Sequence, residues 1–238
     1  MNRETIKYIA IICMTLNHIS HTIMQYGTKA EVFEDIGYFT AVTMCFFLVE
    51  GYHYTRSKKQ YALRLFIFAV IAQVPFSLAF RMYSFSFDML FTLFLCFLIL
   101  CARDYIQNPV LRTLAVFGLV ILTRWCDWPY LAAVYTLLFA ATYGDRRKQA
   151  LSFAAAALLF VGFEYLNYRY RYLPLRALSH SVLAAIPLLV SGMVVLFLYN
   201  GKQAQRGKAF HKYFFYVYYP AHLLILYFLA KRFGKFLF

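Results

Sequence analysis

Nine apolar segments, separated by short polar links, occupy most of the chain. A helix perpendicular to a bilayer needs about 20 apolar residues to cross it, so the shorter segments would have to tilt or re-enter. No long polar insertion and no repeat of fixed period interrupts the series. The sequence therefore predicts an all-α fold: a polytopic integral membrane helix bundle of about nine transmembrane helices, forming a single domain over residues 1–238. The approximate spans are 5–25, 38–54, 61–80, 85–102, 109–123, 128–143, 148–166, 178–199 and 212–231.

Composition agrees with a membrane protein and excludes other classes. Of 238 residues, 63% are hydrophobic and 14% are charged. In a soluble domain about 45–50% of the residues are apolar and about 25% are charged. The net charge of +14 comes from short basic links between apolar runs, which is the positive-inside pattern. No basic face or recognition motif accompanies it, so we expect no nucleic acid partner. The five cysteines show no paired spacing, so we expect neither a metal site nor a disulfide framework.

The charges of the links indicate an orientation in the cell membrane. Links 55–60, 144–148 and 201–208 are basic and are expected on the cytoplasmic side, whereas the first link is acidic and is expected outside. Together they predict a cytoplasmic N-terminus. Basic residues at 169–176 and 231–235 do not fit this orientation, which leaves the side of the C-terminus open. No small-residue cleavage site follows the first segment, so we expect it to be a helix and not a signal peptide.

The first segment combines apolar length with ionisable side chains. Lys7 and His18 are eleven residues apart, about three helical turns, so they share a face about 16 Å apart along the axis. Ionisable residues at membrane depth usually face a bundle interior and mark a functional path. His18 is therefore the first catalytic candidate. The alternative is a core histidine that is hydrogen-bonded to a backbone carbonyl.

His222 and Glu50 are further candidates in other segments. His222 lies about ten residues into the last segment, at about the depth expected for His18, so the two could form one site. The same alternative, a core histidine, applies to it. Glu50 is expected at the level of Lys7, where it would either pair with that lysine or reach water.

Two aspartates are expected towards the outer side of the membrane. Asp88 and Asp127 could orient His18 or bind an acceptor, and ordinary helix N-caps account for them equally well. The motifs of hydrolases with a nucleophile elbow, of zinc proteases and of nucleotide hydrolases are absent from the sequence.

The chain contains, in order, the motifs NHISH, LVEGYHYTRSKKQYALRL, QVPF, FTL and KYFFYVYYPAHLLIL. Taken together, these motifs resemble the TraX-like family of the type-3 membrane acyltransferase superfamily. The spacing from Lys7 to His18 resembles the superfamily's Arg-(ten residues)-His signature, with lysine in place of arginine. Glu50 stands at a serine position of the second-helix motif, and Asn17 stands where many TraX-like sequences have aspartate.

The resemblance implies acyl transfer, usually from acetyl-CoA, to an amine or hydroxyl of an acceptor such as an exported peptide, a pilin-like protein or an envelope glycan. By the same resemblance His18 is the catalytic histidine, Lys7 helps to hold the donor, and His222 matches a late family histidine. Asp127 belongs to a segment that is only loosely similar to a family Asp-Tyr-Gly element.

The chemistry of these side chains is compatible with acyl transfer. A histidine can take the proton of an acceptor that attacks a thioester, or can carry the acyl group itself; the sequence leaves both open. The CoA phosphates would lie at the basic cytoplasmic mouth near Lys7, Arg56 and Lys58, with Glu50 in the same donor-binding region. The pantetheine arm would then reach about 15–20 Å towards His18.

Two other functions remain open. His18, Glu50 and His222 could form the path of a proton-coupled transporter or channel, although the chain lacks the inverted repeat common in transporters. A membrane scaffold is the third possibility, and the aligned polar stripe of the first segment argues against it.

Overall fold

The computed structural model describes residues 1–80 and 86–233, except for the side chain of Lys208. In these residues the fold is all-α, as predicted. A 3₁₀ turn, Thr123–Trp125, follows the fifth helix, and a π turn, Val194–Leu198, follows the eighth. The helices are α1 (Arg3–Thr22), α2 (Thr28–Tyr54), α3 (Lys58–Phe80), α4 (Met89–Tyr105), α5 (Pro109–Leu122), α6 (Leu131–Thr142), α7 (Arg146–Tyr168), α8 (Pro174–Met193) and α9 (Lys208–Arg232).

Five of these helices are long and apolar enough to cross a membrane: α2, α3, α7, α8 with its π turn, and α9. This confirms the membrane helix class but not the count of about nine spans. The helix α1 is not among the five, and its ionisable residues Lys7, His18 and His21 lower its hydropathy.

The second helix begins earlier than predicted. It starts at Thr28 and not near residue 38, so three acidic residues of the predicted outer link lie inside its first turns: Glu31, Glu34 and Asp35. Glu31, in the first turn, is favoured there because the N-terminal end of a helix carries partial positive charge.

Short polar side chains define where several helices begin. Asn2 caps α1 by accepting a hydrogen bond from the Thr5 amide, and Asp145 caps α7 by accepting from the Arg147 and Lys148 amides. Asn108 caps α5 just before Pro109, whose missing N–H costs nothing at a helix start.

The chain divides into two compact units. The first contains residues 1–44 and 144–211, and the second contains residues 45–143 and 212–238, so α2 and α9 contribute to both.

In the first unit, close contacts join α2 to α1 and α8. Gly37 leaves room for the side chain of Asn17. The hydroxyls of Thr43 and Ser191 lie 2.7 Å apart, and both residues are fully buried. Tyr38 of α2 also packs edge-on against Phe160 of α7, with 4.8 Å between ring centroids.

In the second unit, aromatic side chains pack around α4. The ring centroids of Phe97 and Tyr52 lie 5.3 Å apart, and those of Phe97 and Tyr61 lie 4.7 Å apart. Gly51 allows Tyr61 to approach α2, because a Cβ at that position would lie 2.7 Å from the tyrosine hydroxyl.

Candidate functional site

His18 lies buried in α1, with 6% of its surface exposed. The helix is continuous from Arg3 to Thr22 and also contains Lys7, as the prediction of a shared face requires. The hydroxyl of Thr22 donates to the carbonyl of His18 at 2.6 Å, so the histidine backbone has a second hydrogen-bond donor within the last turn of the helix.

The residues beside His18 attach this end of α1 to the start of α2. The amide Nδ2 of Asn17 donates to the carbonyl of Glu34 at 2.8 Å, and Nε2 of His21 lies 3.8 Å from the Glu34 carboxylate. Asn17, at the position where many TraX-like sequences have aspartate, therefore has a positioning contact. These contacts hold the backbone that carries His18.

The predicted donor-binding residues are divided between the units. Lys7 is partly buried in the first unit, whereas Glu50 is 5% exposed in the part of α2 that belongs to the second. A pairing of Lys7 with Glu50, and a joint site of His18 and His222, both remain predictions.

Arg56 and Lys58 differ in how they are placed. Lys58 donates to the backbone carbonyl of Tyr52, and its ammonium lies 4.0 Å from the centre of the Tyr52 ring. Arg56 is exposed in the short link between α2 and α3. Of the two, Arg56 is therefore better placed to meet a phosphate group.

His222 is 4% exposed in α9, and the Tyr218 ring stacks on it with centroids 5.0 Å apart. Its Nδ1 lies 2.9 Å from the Tyr218 carbonyl. Since a carbonyl only accepts hydrogen bonds, Nδ1 carries a hydrogen, and Nε2 is the nitrogen that can accept a proton. The backbone contact is the one that a core histidine makes.

A buried polar cluster that the sequence did not bring together surrounds the start of α4. Asp88 is fully buried and caps α4, with Oδ1 accepting from the Phe91 amide at 2.8 Å. The hydroxyl of Tyr219, a residue that is 5% exposed, accepts from the Met89 amide at 3.4 Å. The Tyr219 ring lies 5.7 Å from that of His222, so the cluster adjoins this histidine.

Asp127 reaches the same place through a backbone bridge. The Asp127 amide donates to the Phe87 carbonyl at 2.8 Å. The hydroxyl of Thr92 donates to the Asp127 carbonyl at 2.6 Å. The N-cap interpretation is therefore right for Asp88. It is wrong for Asp127, because Tyr130 occupies the N-cap position of α6.

The two carboxyls lie in a poorly solvated environment. Burial raises the pKa of Asp88 to about 7, partly offset by the Phe91 amide and reinforced by the charge of Asp127. Burial raises the pKa of Asp127 to about 6, against the effect of the Trp128 amide. Among the described residues, Oδ2 of Asp88 has no hydrogen-bond partner. Such a pair can hold a proton near neutral pH.

Sequence reasoning selected Asp127 and His222 as site residues, and it considered Tyr219 only as part of an aromatic run, 213–219, that could line a pocket. The available signal was that Tyr219 lies three residues before His222, and therefore on a neighbouring part of the same helical face. Its contact with Met89 spans 130 positions, and no local pattern indicates it.

The apolar helices and the buried ionisable residues define a multi-pass helical membrane protein. The chain belongs to the TraX family, whose profile, described as TraX protein, matches residues 2–230. It is 32% identical over 232 residues to a Dichelobacter nodosus protein named "Probable fimbrial assembly protein FimC, serogroup H1", covering 93% of this chain and 92% of that relative. No solved structure matches significantly. The predicted TraX resemblance is confirmed.

Proposed function

We propose that this protein is a membrane-embedded acyltransferase. It transfers an acetyl group from acetyl-CoA to an amine or hydroxyl of an exported peptide, a pilin-like protein or an envelope glycan. The observation that carries the proposal is the buried His18 on a continuous helix of a TraX-family chain. A relative named for fimbrial assembly favours a protein acceptor within that group.

In the proposed reaction His18 acts as a base. The acceptor nitrogen or oxygen attacks the thioester carbonyl, His18 takes the acceptor's proton, and the carbon–sulfur bond breaks. The CoA thiolate leaves and is protonated by the imidazolium. In the covalent variant, the histidine first accepts the acetyl group and then passes it to the acceptor.

The donor is proposed to enter from the cytoplasm, where the N-terminus is also proposed to lie. Arg56, exposed and able to form a planar two-pronged contact, is the better phosphate ligand. Lys7 supplies a point charge, because an ammonium group lacks that geometry. Lys58 and Glu50 are proposed to shape the donor-binding region, and Asp127 and His222 to position the acceptor.

Hydrolysis of acetyl-CoA by the protein purified in detergent tests this proposal. Wild type should release free thiol, and acetyl-CoA should raise its melting temperature, because a ligand of the native state stabilises that state. His18→Ala should lose thiol release. His53→Ala is the matched control, since His53 is exposed at the end of α2.

Two results would count against the proposal. Thiol release that is equal in wild type and His18→Ala would remove His18 from the mechanism. Neither binding nor hydrolysis at millimolar acetyl-CoA would contradict the enzyme itself and favour the transporter interpretation.

A further inference from the structure

A cavity of about 360 Å³ opens in the first unit, where α2 begins and α7 ends. Its walls include three carboxylates, from Glu31, Glu34 and Glu164, and one guanidinium group, from Arg171. Asn167 and four tyrosines complete the lining. A cavity that combines both signs of charge with aromatic walls is suited to a ligand that carries both charges.

Few ion pairs among the described residues balance the charges of this cavity. Three of the ten acidic residues of a chain with net charge +14 line it. Within residues 1–80 and 86–233, the one salt bridge that reaches these carboxylates joins His21 to Glu34, and it requires a protonated histidine. Arg171 forms no salt bridge within the same ranges. A cationic group among the carboxylates and an anionic group beside Arg171 would therefore gain from binding.

The tyrosines both hold a carboxylate in place and line the cavity with aromatic rings. The hydroxyl of Tyr38 donates to the Glu34 carboxylate at 3.1 Å, which fixes the carboxylate in the cavity wall. Tyr168 and Tyr26 also line the cavity. Aromatic faces attract ammonium groups, and this attraction is stronger where water is excluded.

The position of the cavity indicates where its ligand comes from. Glu31 and Glu34 lie in the first two turns of α2, and Glu164 lies in the last turns of α7; both helices are long and apolar enough to cross a membrane. Helix ends of this kind are expected at the level of lipid headgroups, where tyrosine is enriched in membrane proteins.

Exposed apolar side chains also occur on α7 and just after it, outside the cavity lining. Leu159, Leu166 and Leu173 are 47%, 52% and 75% exposed. Exposed leucines on membrane helices are suited to contact with acyl chains. A lipid whose zwitterionic head occupied the cavity would have its apolar tails beside membrane-spanning helices.

We propose that this cavity binds the zwitterionic headgroup of an aminophospholipid. The ammonium group lies among Glu31, Glu34 and Glu164, and the phosphate lies beside Arg171. A soluble zwitterion such as phosphoethanolamine has the same charged groups. The experiment below distinguishes it from the lipid. The site does not depend on the proposed acyl transfer, so failure of either proposal leaves the other intact.

The test measures thermal unfolding of the full chain in nanodiscs. Discs of phosphatidylglycerol alone are compared with discs that also contain phosphatidylethanolamine or phosphatidylcholine. Phosphatidylethanolamine should raise the melting temperature of wild type by several degrees, because a ligand of the native state stabilises it. Phosphatidylcholine should raise it less, since its methylated ammonium has no N–H to donate to the carboxylates.

Variants assign the shift to the cavity. The double variant Glu34→Gln and Glu164→Gln should lose most of the shift, and Asp145→Asn, which removes an exposed carboxylate that caps α7, should keep it. If the double variant does not fold, Arg171→Gln replaces it, because Arg171 is exposed.

Three outcomes would overturn the proposal. The first is an equal melting temperature with and without phosphatidylethanolamine. The second is a full shift in the folded cavity variants. The third is an equal shift from soluble phosphoethanolamine in lipid-free detergent, which would assign the cavity to a soluble zwitterion and not to a lipid.

Discussion

The hydroxyl oxygen of Tyr219 in α9 accepts a hydrogen bond from the backbone N–H of Met89, the first residue of α4, at 3.4 Å. The first N–H groups of a helix have no partner within the helix. Asp88 accepts from another of them, the N–H of Phe91, at 2.8 Å. The start of α4 is therefore satisfied partly by its own N-cap and partly by a residue far along the chain.

Replacing Tyr219 with phenylalanine should destabilise the protein. The partly buried Met89 amide would lose this acceptor, at a cost of about 1 kcal/mol. Unfolding in detergent measures this loss. Tyr213→Phe is the matched control, because Tyr213 lies on the same helix and is 48% exposed. Equal stability of wild type and Tyr219→Phe would show that water or another group satisfies the Met89 amide.

Asp88 and Asp127 should make stability depend on pH. Their folded-state pKa values, about 7 and about 6, exceed the ordinary 3.8. Between these values and 3.8 the folded state binds more protons than the unfolded state. Their contribution to stability is therefore complete below about pH 4 and is lost as pH rises towards 7.

Thermal unfolding between pH 4 and 8 checks this dependence. Asp88→Asn should flatten the decrease, because asparagine still caps α4 and cannot ionise. Asp145→Asn should leave the decrease in place, since Asp145 caps a different helix at an exposed position. A decrease that is equally steep in Asp88→Asn would contradict the assignment to this pair.

The Thr43–Ser191 contact should respond unequally to removal of its two hydroxyls. Thr43 donates to the Phe39 carbonyl at 2.6 Å, so its single hydroxyl hydrogen is used and Ser191 must donate to Thr43 across 2.7 Å. Thr43→Val leaves the buried Ser191 hydroxyl without this acceptor. Ser191→Ala leaves the Thr43 bond to Phe39 in place. We expect Thr43→Val to cost about 1–3 kcal/mol and Ser191→Ala to cost less.

Unfolding of both single variants and the double variant measures this difference. The double variant should be at least as stable as Thr43→Val alone, because the Ser191 hydroxyl left without its acceptor is then removed. The opposite order of the single variants would reverse the assigned donor.

Gly37→Ala should disturb the helix that carries His18. A Cβ at position 37 would lie 2.2 Å from Cβ of Asn17, the neighbour of His18. The helices must then separate, at a cost of about 1–3 kcal/mol. Gly162→Ala is the control, because a Cβ there meets nothing within 4 Å.

Activity and stability are both measured for these glycine variants. If His18 acts as proposed, Gly37→Ala should lose thiol release even at temperatures where it remains folded, whereas Gly162→Ala should retain it. Wild-type stability of Gly37→Ala would contradict the close approach of α1 and α2.

Much of the local structure could be predicted from the sequence. Apolar length and polar links indicated a helix in each of nine places, because burial of backbone groups in lipid leaves few alternatives to a helix. The early start of α2 was missed, since Glu31, Glu34 and Asp35 read as a polar link but are tolerated at a helix N-terminus.

The candidate site was less predictable. Asp127 was weighed as a helix cap, but a backbone bridge to Phe87 and not a helix start holds it. Lys58 was predicted to lie near the CoA phosphates, and the structure adds that its ammonium contacts Tyr52. Both outcomes depend on contacts that composition and periodicity do not predict.

By itself, the sequence determined the helical membrane class, the TraX family and the presence of ionisable residues within apolar helices. These follow from local hydrophobicity and from ordered motifs. Only the tertiary structure decided that Asp88, Asp127 and Tyr219 meet at the start of α4, and that three glutamates and Arg171 share a cavity. Such contacts depend on how distant segments pack. Side chains far apart in the chain become neighbours only when the packing of the helices fixes which faces are in contact and in which register.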